Sequence, residues 1–578
     1  MAEYLTLKTE DCKNCYRCIR HCPVKSIRFS GNQAHIIDDE CILCGNCFVT
    51  CPQKAKSIRS DLGAARALLD GGAPVYVSVA PSFAANYVLR PGGAAPENGA
   101  EAGGGKPVSI GQMEGALKKL GFAGAEETAL GAAVVKRRYD AMIDAEEQDV
   151  IISSCCPSVN LLIQKYYPGA IPCIAPVLSP MQVHCMDLKR RHPGAKALFA
   201  GPCISKKAEA EMYGGQVDCV LTFAELSSWF EKEKITFDEG RGEEKNRRTL
   251  TRAFPTSAGI LHTMEKKNPR YTYLAIDGID NCKAAIEDIL EGRMGKCFIE
   301  MSACTGSCTG GPAMEKRPSP VRDFLAVRSQ AGDRDFETGE FPAEGLRKTF
   351  RALTPRRFHF GQSAIEEVLR KMGKTKPGDE LNCGTCGYNT CRDKARAVLE
   401  EKANITMCLP FLIEKARSFS DDIIKHTPNG IIVLNENLEV RQINEAACRL
   451  LNIVPENILG DQVVRILDPE PFLDVCRQER NRRNKGVYLA DYGKYVDQTI
   501  LYDKSYRIVI CIMRDVTEET TRRENRETIN RNVMEITGRV IEKQMRTVQE
   551  IASLLGETTA ETKIALARLM ESLTDEKD

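Results

Sequence analysis

The chain has 578 residues, too many for one core, so roughly three to five domains are expected. Lys plus Arg (80) nearly cancels Asp plus Glu (79), and no overall field draws the protein toward nucleic acid or an anionic membrane surface. The opening Met1-Ala2-Glu3-Tyr4-Leu5 carries an acid and no apolar segment, and no apolar run approaches the ~20 residues that span a bilayer. A cytoplasmic protein without membrane contact is expected, and in that reducing compartment the clustered members of its 25 cysteines read as metal ligands, not disulfides.

Cys12, Cys15, Cys18 and Cys22 are followed by Cys41, Cys44, Cys47 and Cys51, so one Cys-x2-Cys-x2-Cys-x3-Cys-Pro run occurs twice. In modules of this spacing each cubane takes three thiolates from one run and the fourth from the other. Cys12, Cys15, Cys18 and Cys51 are assigned to one 4Fe-4S cluster, and Cys41, Cys44, Cys47 and Cys22 to a second. Zinc or a disulfide framework is the alternative, but zinc sites use two ligand pairs, not doubled triplets.

Over residues 61–370, apolar stretches such as Val75-Tyr76-Val77-Ser78-Val79 and Val150-Ile151-Ile152 read as buried strands, with a helix over Gly111 to Leu120 between them. This is an α/β pattern. Pro91 to Lys106, rich in Gly, Ala and Pro, reads as a flexible surface insertion. Three cysteine segments fall where a doubly wound sheet gathers ligands, after its strands. They are Ser153-Ser154-Cys155-Cys156-Pro157, Gly201-Pro202-Cys203-Ile204-Ser205-Lys206-Lys207-Ala208-Glu209 and Glu300-Met301-Ser302-Ala303-Cys304-Thr305-Gly306-Ser307-Cys308.

Together these segments and the doubled cysteine run resemble the iron-iron (FeFe) hydrogenases over roughly residues 1–370. The resemblance implies that Cys156, Cys203, Cys304 and Cys308 hold the cubane of an H-cluster, with Cys308 bridging to a two-iron subcluster. That subcluster carries carbon monoxide, cyanide and an azadithiolate, and its assembly requires maturation proteins. Lys206 matches the lysine that meets one cyanide, a charge-assisted contact; Ala80-Pro81-Ser82 matches the loop that meets the other. Cys155 matches the thiol that passes protons to the amine. The plainer readings are a buried pair of core thiols and a solvated surface lysine.

The chain also departs from that family. Gly201 and Ser302 stand where methionines flank the two-iron site, which is expected to open space and alter hydrogen bonding there. The third motif ends Gly310-Gly311-Pro312-Ala313 instead of Gln-Pro. Where relay glutamates are usual, the chain reads Val135-Lys136-Arg137-Arg138-Tyr139; arginine stays protonated and cannot shuttle protons, so slow turnover is expected.

Cys383, Cys386, Cys391 and Cys408 supply four thiolates for a third 4Fe-4S cluster outside the active site, in an arrangement that resembles a small domain of redox regulators; zinc is again the alternative. Further on, Gly430 to Asn435 reads as a strand, Ala446 to Leu451 as a helix and Tyr506 to Met513 as a strand, a pattern that resembles a PAS domain used as a relay or dimer platform. Cys448, Cys476 and Cys511 read as core or surface thiols. Ile529, Val533, Ile536 and Val540 then alternate by four and three, a seam suited to a homodimer. Gly556 is expected to end that helix, and Thr558 with Glu561 to cap another carrying Ile564, Leu566 and Leu569. With only Lys563 and Arg568 as positive charges there, DNA is not an expected partner.

The fold expected is multidomain α/β. It comprises a two-cluster ferredoxin-like domain (1–60), an α/β hydrogenase H-cluster domain (61–370), a small iron-sulfur domain (371–413), an α+β PAS domain (414–517) and C-terminal helices (518–578). The function expected is a slow, sensory hydrogenase acting on hydrogen and protons. It would exchange electrons with a redox protein such as a ferredoxin and signal to a separate downstream protein. Two other readings stand: a hydrogen-metabolising enzyme regulated by its PAS part, and an iron-sulfur redox regulator lacking the two-iron subcluster.

Overall fold

The computed structural model describes residues 3–89, 106–238, 249–264, 267–315, 319–356, 358–555, 564–565 and 567–568. The insertion expected over 91–106 lies outside the described residues except for Lys106, as do Gly556, Thr558, Glu561, Lys563, Leu566 and Leu569 of the expected second C-terminal helix. The chain divides into two compact units, Met1–Phe411 and Leu412–Asp578.

In the first unit seven parallel strands carry the architecture: β1 (Val75–Val79), β2 (Gly124–Glu127), β3 (Val150–Ile152), β4 (Lys196–Gly201), β5 (Cys219–Thr222), β6 (Thr272–Asp277) and β7 (Cys297–Ser302). They form two sheets, ordered β5-β4-β1-β2 and β6-β7-β3. This differs from one doubly wound sheet. The edge strands β2 and β3 do not pair; helix α1 (Ala129–Asp144) runs between them in sequence. Strands β1, β4 and β7 are apolar almost throughout, as strands covered on both faces must be. Register is set by pairs such as Ala200 with Val79 and Ile299 with Ile152.

Every cysteine segment begins at the carboxyl end of one of these strands. After β3, Cys156 sits at the N-terminal boundary of α2 (Pro157–Tyr166), with Pro157 in the first turn, where a missing N–H costs nothing. After β4, the chain enters α3 (Ser205–Met212), and after β7 it makes the tight turn Ser307–Gly310.

The N-terminal module pairs Leu5–Leu7 with Lys56–Ile58 and Ile27–Ser30 with Gln33–Ile36, and short helices Arg17–His21 and Asn46–Val49 carry Cys18 and Cys47. Its Ile19, Ile42 and Leu43 share one apolar core with Leu162, Ile163, Ile279 and Ile286. Tyr388, Ala397 and Met407 from the third cysteine region enter that same core. These regions are therefore packed together, not strung on linkers.

In the second unit, five antiparallel strands run in the order Val440–Ile443, Gly430–Asn435, Ile508–Asp515, Lys494–Asp503, Arg482–Leu489. Ile432, Leu434, Val496, Val509 and Cys511 fill the core with Phe472 of the helix Glu470–Gln478. The helix expected over Ala446 to Leu451 spans Glu445–Leu450. Helix Thr517–Leu555 follows and exposes Ile529, Val533, Ile536 and Val540.

The turn after Cys304 tolerates no side chain at Gly310: a Cβ there would lie 2.0 Å from the Thr305 carbonyl oxygen. Gly310→Ala is expected to cost about 1–3 kcal/mol and to displace Cys308. Thermal unfolding together with iron content per chain checks this.

Candidate functional site

Five predicted cysteines, Cys155, Cys156, Cys203, Cys304 and Cys308, line one cavity with about 1010 Å³ of empty space including its mouth. Ala80, Pro81, Ser82, Lys206 and Ser302 line it too, so every residue predicted for this site reaches the same space. The strand ends explain why. Loops after β1, β3, β4 and β7 converge there, although up to 228 positions separate Ala80 from Cys308 in the chain.

The thiols are poorly solvated. Burial pushes the Cys304 thiol well above its ordinary pKa, and the fields of Cys203, Cys156, Cys308 and Cys44 push it further. Cys308 is exposed only in the sense that it faces the cavity; its thiol is desolvated and raised likewise. At Cys156 burial and Cys203 raise the pKa, while backbone N–H groups of Ala303 and Val159 favour the thiolate. Among the described residues, no three His, Cys, Asp or Glu side chains converge as ligands of a single ion do. Thiols that ring a cavity fit a multi-iron cluster, whose metal charge offsets their mutual repulsion. The Ser82 hydroxyl is buried in the wall without a hydrogen-bond partner among the described residues, as a group awaiting an acceptor would be.

Lys206 is held by a buried network. Its ammonium donates to Glu209 Oε2 at 2.6 Å and to the Cys155 carbonyl at 3.1 Å. Glu209 also accepts from Ser179 Oγ at 3.0 Å and from Lys348, which itself donates to Gln182 Oε1 at 2.9 Å. Burial works against the Lys206 charge, but Glu209, Cys203 and Cys155 more than offset it, and its pKa stands above the ordinary lysine value. Lys206 is not a surface lysine.

Two smaller cavities hold other predicted cysteines. Cys22, Cys41, Cys44 and Cys47 line one with about 300 Å³ of empty space. Cys383, Cys386, Cys391 and Cys408 line another with about 370 Å³. Cys18 lies in the fields of Cys12 and Cys15, and Cys51 Sγ accepts from the Ala55 N–H at 3.3 Å. Cys44 also borders the large cavity, so the N-terminal module and the central site share a wall.

Residues 73–312 match the family described as the iron-only hydrogenase large subunit, C-terminal domain. This stretch is an iron-only hydrogenase domain. Residues 4–52 match a 4Fe-4S dicluster domain, 379–410 a putative Fe-S cluster domain and 419–516 the PAS fold. The periplasmic [Fe] hydrogenase large subunit of Nitratidesulfovibrio vulgaris is 24% identical over 287 residues, 39% of this chain and 68% of that protein. Iron hydrogenase 1 of Clostridium pasteurianum is 23% identical over 280 residues, 38% and 48% of the two chains. A cytosolic Fe-S cluster assembly factor of Eremothecium gossypii, NAR1, is 35% identical over 86 residues, 14% and 19%. Among solved structures, the HydA1 hydrogenase of Chlamydomonas reinhardtii (variant E141A) aligns at 17% identity with a TM-score of 0.39, covering 51% of this chain and 100% of that one.

Within the hydrogenase domain the structure adds residues that sequence reading missed. Glu300, one residue before Met301 on β7, also faces the cavity; its carboxylate accepts from the Ile260 and Leu261 N–H groups at 2.9 and 3.1 Å. Burial nevertheless raises its pKa to about 7. Helix α1 turns Tyr139 toward Cys155: the hydroxyl lies 3.3 Å from Cys155 Sγ and 3.0 Å from Ser154 Oγ. Arg138 instead pairs with Glu147 at 2.9 Å near the surface, and Lys136 pairs with Asp335.

The space expected from Gly201 is not open. A Cβ there would lie 2.6 Å from the Phe199 ring, and Phe199, Met181 and Met301 all line the cavity. Phe199 and Gly201 share a strand face, so the larger residue fills the smaller one's place. Ser302 Oγ lies 2.9 Å from Ser307 Oγ.

Because the folded protein binds the Glu300 proton more tightly than an unfolded chain does, stability at this site is present at low pH and lost as the pH rises from 4.5 through about 7. Glu300→Gln removes that dependence. Above pH ~7 the variant should gain stability on the native chain by on the order of 3 kcal/mol, read from anaerobic unfolding at acid and neutral pH.

Proposed function

We propose that the chain is a sensory FeFe hydrogenase of low turnover. Cys156, Cys203, Cys304 and Cys308 would hold the cubane of an H-cluster, with Cys308 shared with a two-iron subcluster bearing carbon monoxide, cyanide and azadithiolate. When bound, that group supplies the open metal position at which hydrogen is split or formed. Three further 4Fe-4S clusters would occupy the remaining cysteine sets. The observation that carries the reading is the convergence of Cys155, Cys156, Cys203, Cys304, Cys308 and Lys206 on one apolar-walled cavity in the hydrogenase domain.

The chain's own residues supply binding and proton handling. Lys206, charged because Glu209 stabilises it, offers a donor to one cyanide, and the unpartnered Ser82 hydroxyl offers a donor to the other. Phe199, Met181 and Met301 exclude water from the walls. Cys155 would hold a proton in the cavity wall; burial pushes its thiol up to about 12, so it gives that proton up reluctantly. Glu300 holds a proton near neutrality in the same cavity, which suits a group that exchanges protons at physiological pH.

Slow turnover follows from what neighbours Cys155. Burial raises the Tyr139 phenol far above its ordinary value, so it keeps its proton and cannot replace a relay carboxylate. Sensing is supported by the PAS fold and by the exposed seam on helix Thr517–Leu555, which suits a homodimer. Electrons would pass to a ferredoxin-like partner, and the state of the clusters to a separate signalling protein in the cytoplasm. Among the described residues no helix is long and apolar enough to cross a membrane.

A second reading, an iron-sulfur redox protein without the two-iron subcluster, draws on the 35% identity to NAR1 over 86 residues. Infrared spectra of anaerobically matured protein under argon and then hydrogen separate the two. Bands of metal-bound carbon monoxide and cyanide that shift reversibly with hydrogen are expected; none after competent maturation would leave the redox protein. Glu300→Gln should slow hydrogen oxidation by ~10²–10⁴-fold and remove the inflection expected near pH 7. Unchanged turnover and an unchanged pH profile would count against a proton role for Glu300. Val533→Asp combined with Ile536→Asp should convert a dimer to a monomer by light scattering.

A further inference from the structure

The third cysteine region is seated on the N-terminal module. Its turn Cys386-Gly387-Tyr388 lies flush on helix Arg17–His21: a Cβ at Gly387, where φ is +93°, would lie 2.9 Å from Ile19 Cγ2 and 3.1 Å from the Arg20 nitrogen. Lys25 Nζ donates to the Gly387 carbonyl at 2.8 Å and to the Arg20 carbonyl at 3.1 Å, while Arg20 donates to the Thr385 carbonyl at 3.0 Å. Away from this turn, Lys402 pairs with Glu40 at 2.8 Å and its carbonyl accepts from the Phe29 N–H at 2.7 Å.

Two side chains in the seam feel both cysteine sites. Burial lowers the Lys25 pKa, and Cys22 on one side and Cys386 on the other favour its charge. Tyr388 is buried in the core that also holds Cys22 and against which Cys386 packs. Its hydroxyl has no hydrogen-bond partner among the described residues. On the far side of the Cys22 site, Cys44 borders the hydrogenase cavity.

We propose that Lys25 and Tyr388 couple the Cys22–Cys41–Cys44–Cys47 site to the Cys383–Cys386–Cys391–Cys408 site, making the former a branch point between the hydrogenase cavity and the third site. This rests on the reading that both cysteine sets hold 4Fe-4S clusters. Each transfer moves one electron: the Cys22 site is oxidised as the Cys386 site is reduced, and no proton crosses the seam. Hydrogen oxidation supplies the electrons, two per molecule, and its two protons pass by way of cavity groups such as Glu300 to solvent, not across the seam. Lys25 is a positioning residue whose ammonium stabilises the reduced, more negative form of both sites, and Tyr388 fills the space between them.

The test is electron paramagnetic resonance of the full-length, matured protein during a redox titration, with iron counted per chain. If iron falls short of both sites, the cluster reading itself fails, and the inference with it. With both clusters present, the third site's signal should broaden and relax faster once the Cys22 site is reduced. Lys25→Gln should shift both midpoint potentials downward while leaving that of the Cys12–Cys15–Cys18–Cys51 site in place, and Tyr388→Ala should slow reduction of the third site by hydrogen. Clusters that are present but relax independently, with potentials unmoved by Lys25→Gln, would overturn the branch point and leave the hydrogenase reading intact.

Discussion

Five cysteine thiols are held side by side in an apolar-walled cavity, and on the proposed reading, in which four of them bind a cluster as thiolates, much of the first unit is arranged around the cost of holding that charge. Removing ions from water is expensive unless each gains a compensating partner. Cys156 gains the backbone N–H groups of Ala303 after β7 and of Val159 at the start of α2, and Lys206 brings a positive charge to the wall. That charge is itself buried, and Glu209 and Lys348 hold it in place. Lys206 thereby keeps its positive charge at the cavity wall, where an anionic occupant would find a charged donor.

The same constraint explains why the modules are fused. On the proposed reading a cluster that exchanges electrons with the cavity has to lie against its wall, and Cys44 lies there because Ile19, Ile42 and Leu43 are packed into a core shared with α2. A separately folding module on a linker would let that spacing vary. Helix Arg17–His21 in turn receives the third cysteine region across a seam with no room for a side chain at position 387. Rigid spacing is thus carried from the cavity to the third site by packing.

The iron-sulfur domains over 4–52 and 379–410 were legible because cysteine spacing is local: a Cys-x2-Cys-x2-Cys run is recognisable wherever it folds. Strand β1 and the PAS strand from Gly430 were legible for a similar reason, as apolar runs bounded by turns. Glu300 was not, since its environment depends on the backbone N–H groups of Ile260 and Leu261 in helix Gly259–Thr263, 39–40 positions away. Tyr139 was noticed only as part of an arginine-rich stretch; its contact with Cys155 depends on how α1 rotates against β3. The error at Gly201 is instructive because its remedy was available. Residues two apart share a strand face, so Phe199 could have been seen as the occupant of the missing side chain's space.

An enzyme built for speed would place a carboxylate of moderate pKa next to the thiol that meets the substrate. Here the group in contact with Cys155 is a buried phenol, and the carboxylate nearest neutrality, Glu300, is held by two backbone N–H groups in the same cavity. Proton exchange at Cys155 then meets a thiol and a phenol that both hold their protons tightly and rests on Glu300 near neutrality, while the cysteine sites are packed against one another. On the proposed reading the two functions are unequally served: electrons can redistribute faster than protons can leave. A protein with that imbalance registers hydrogen as a change in cluster charge more readily than it consumes it, which suits a first unit attached to a PAS fold and an unpartnered helical seam.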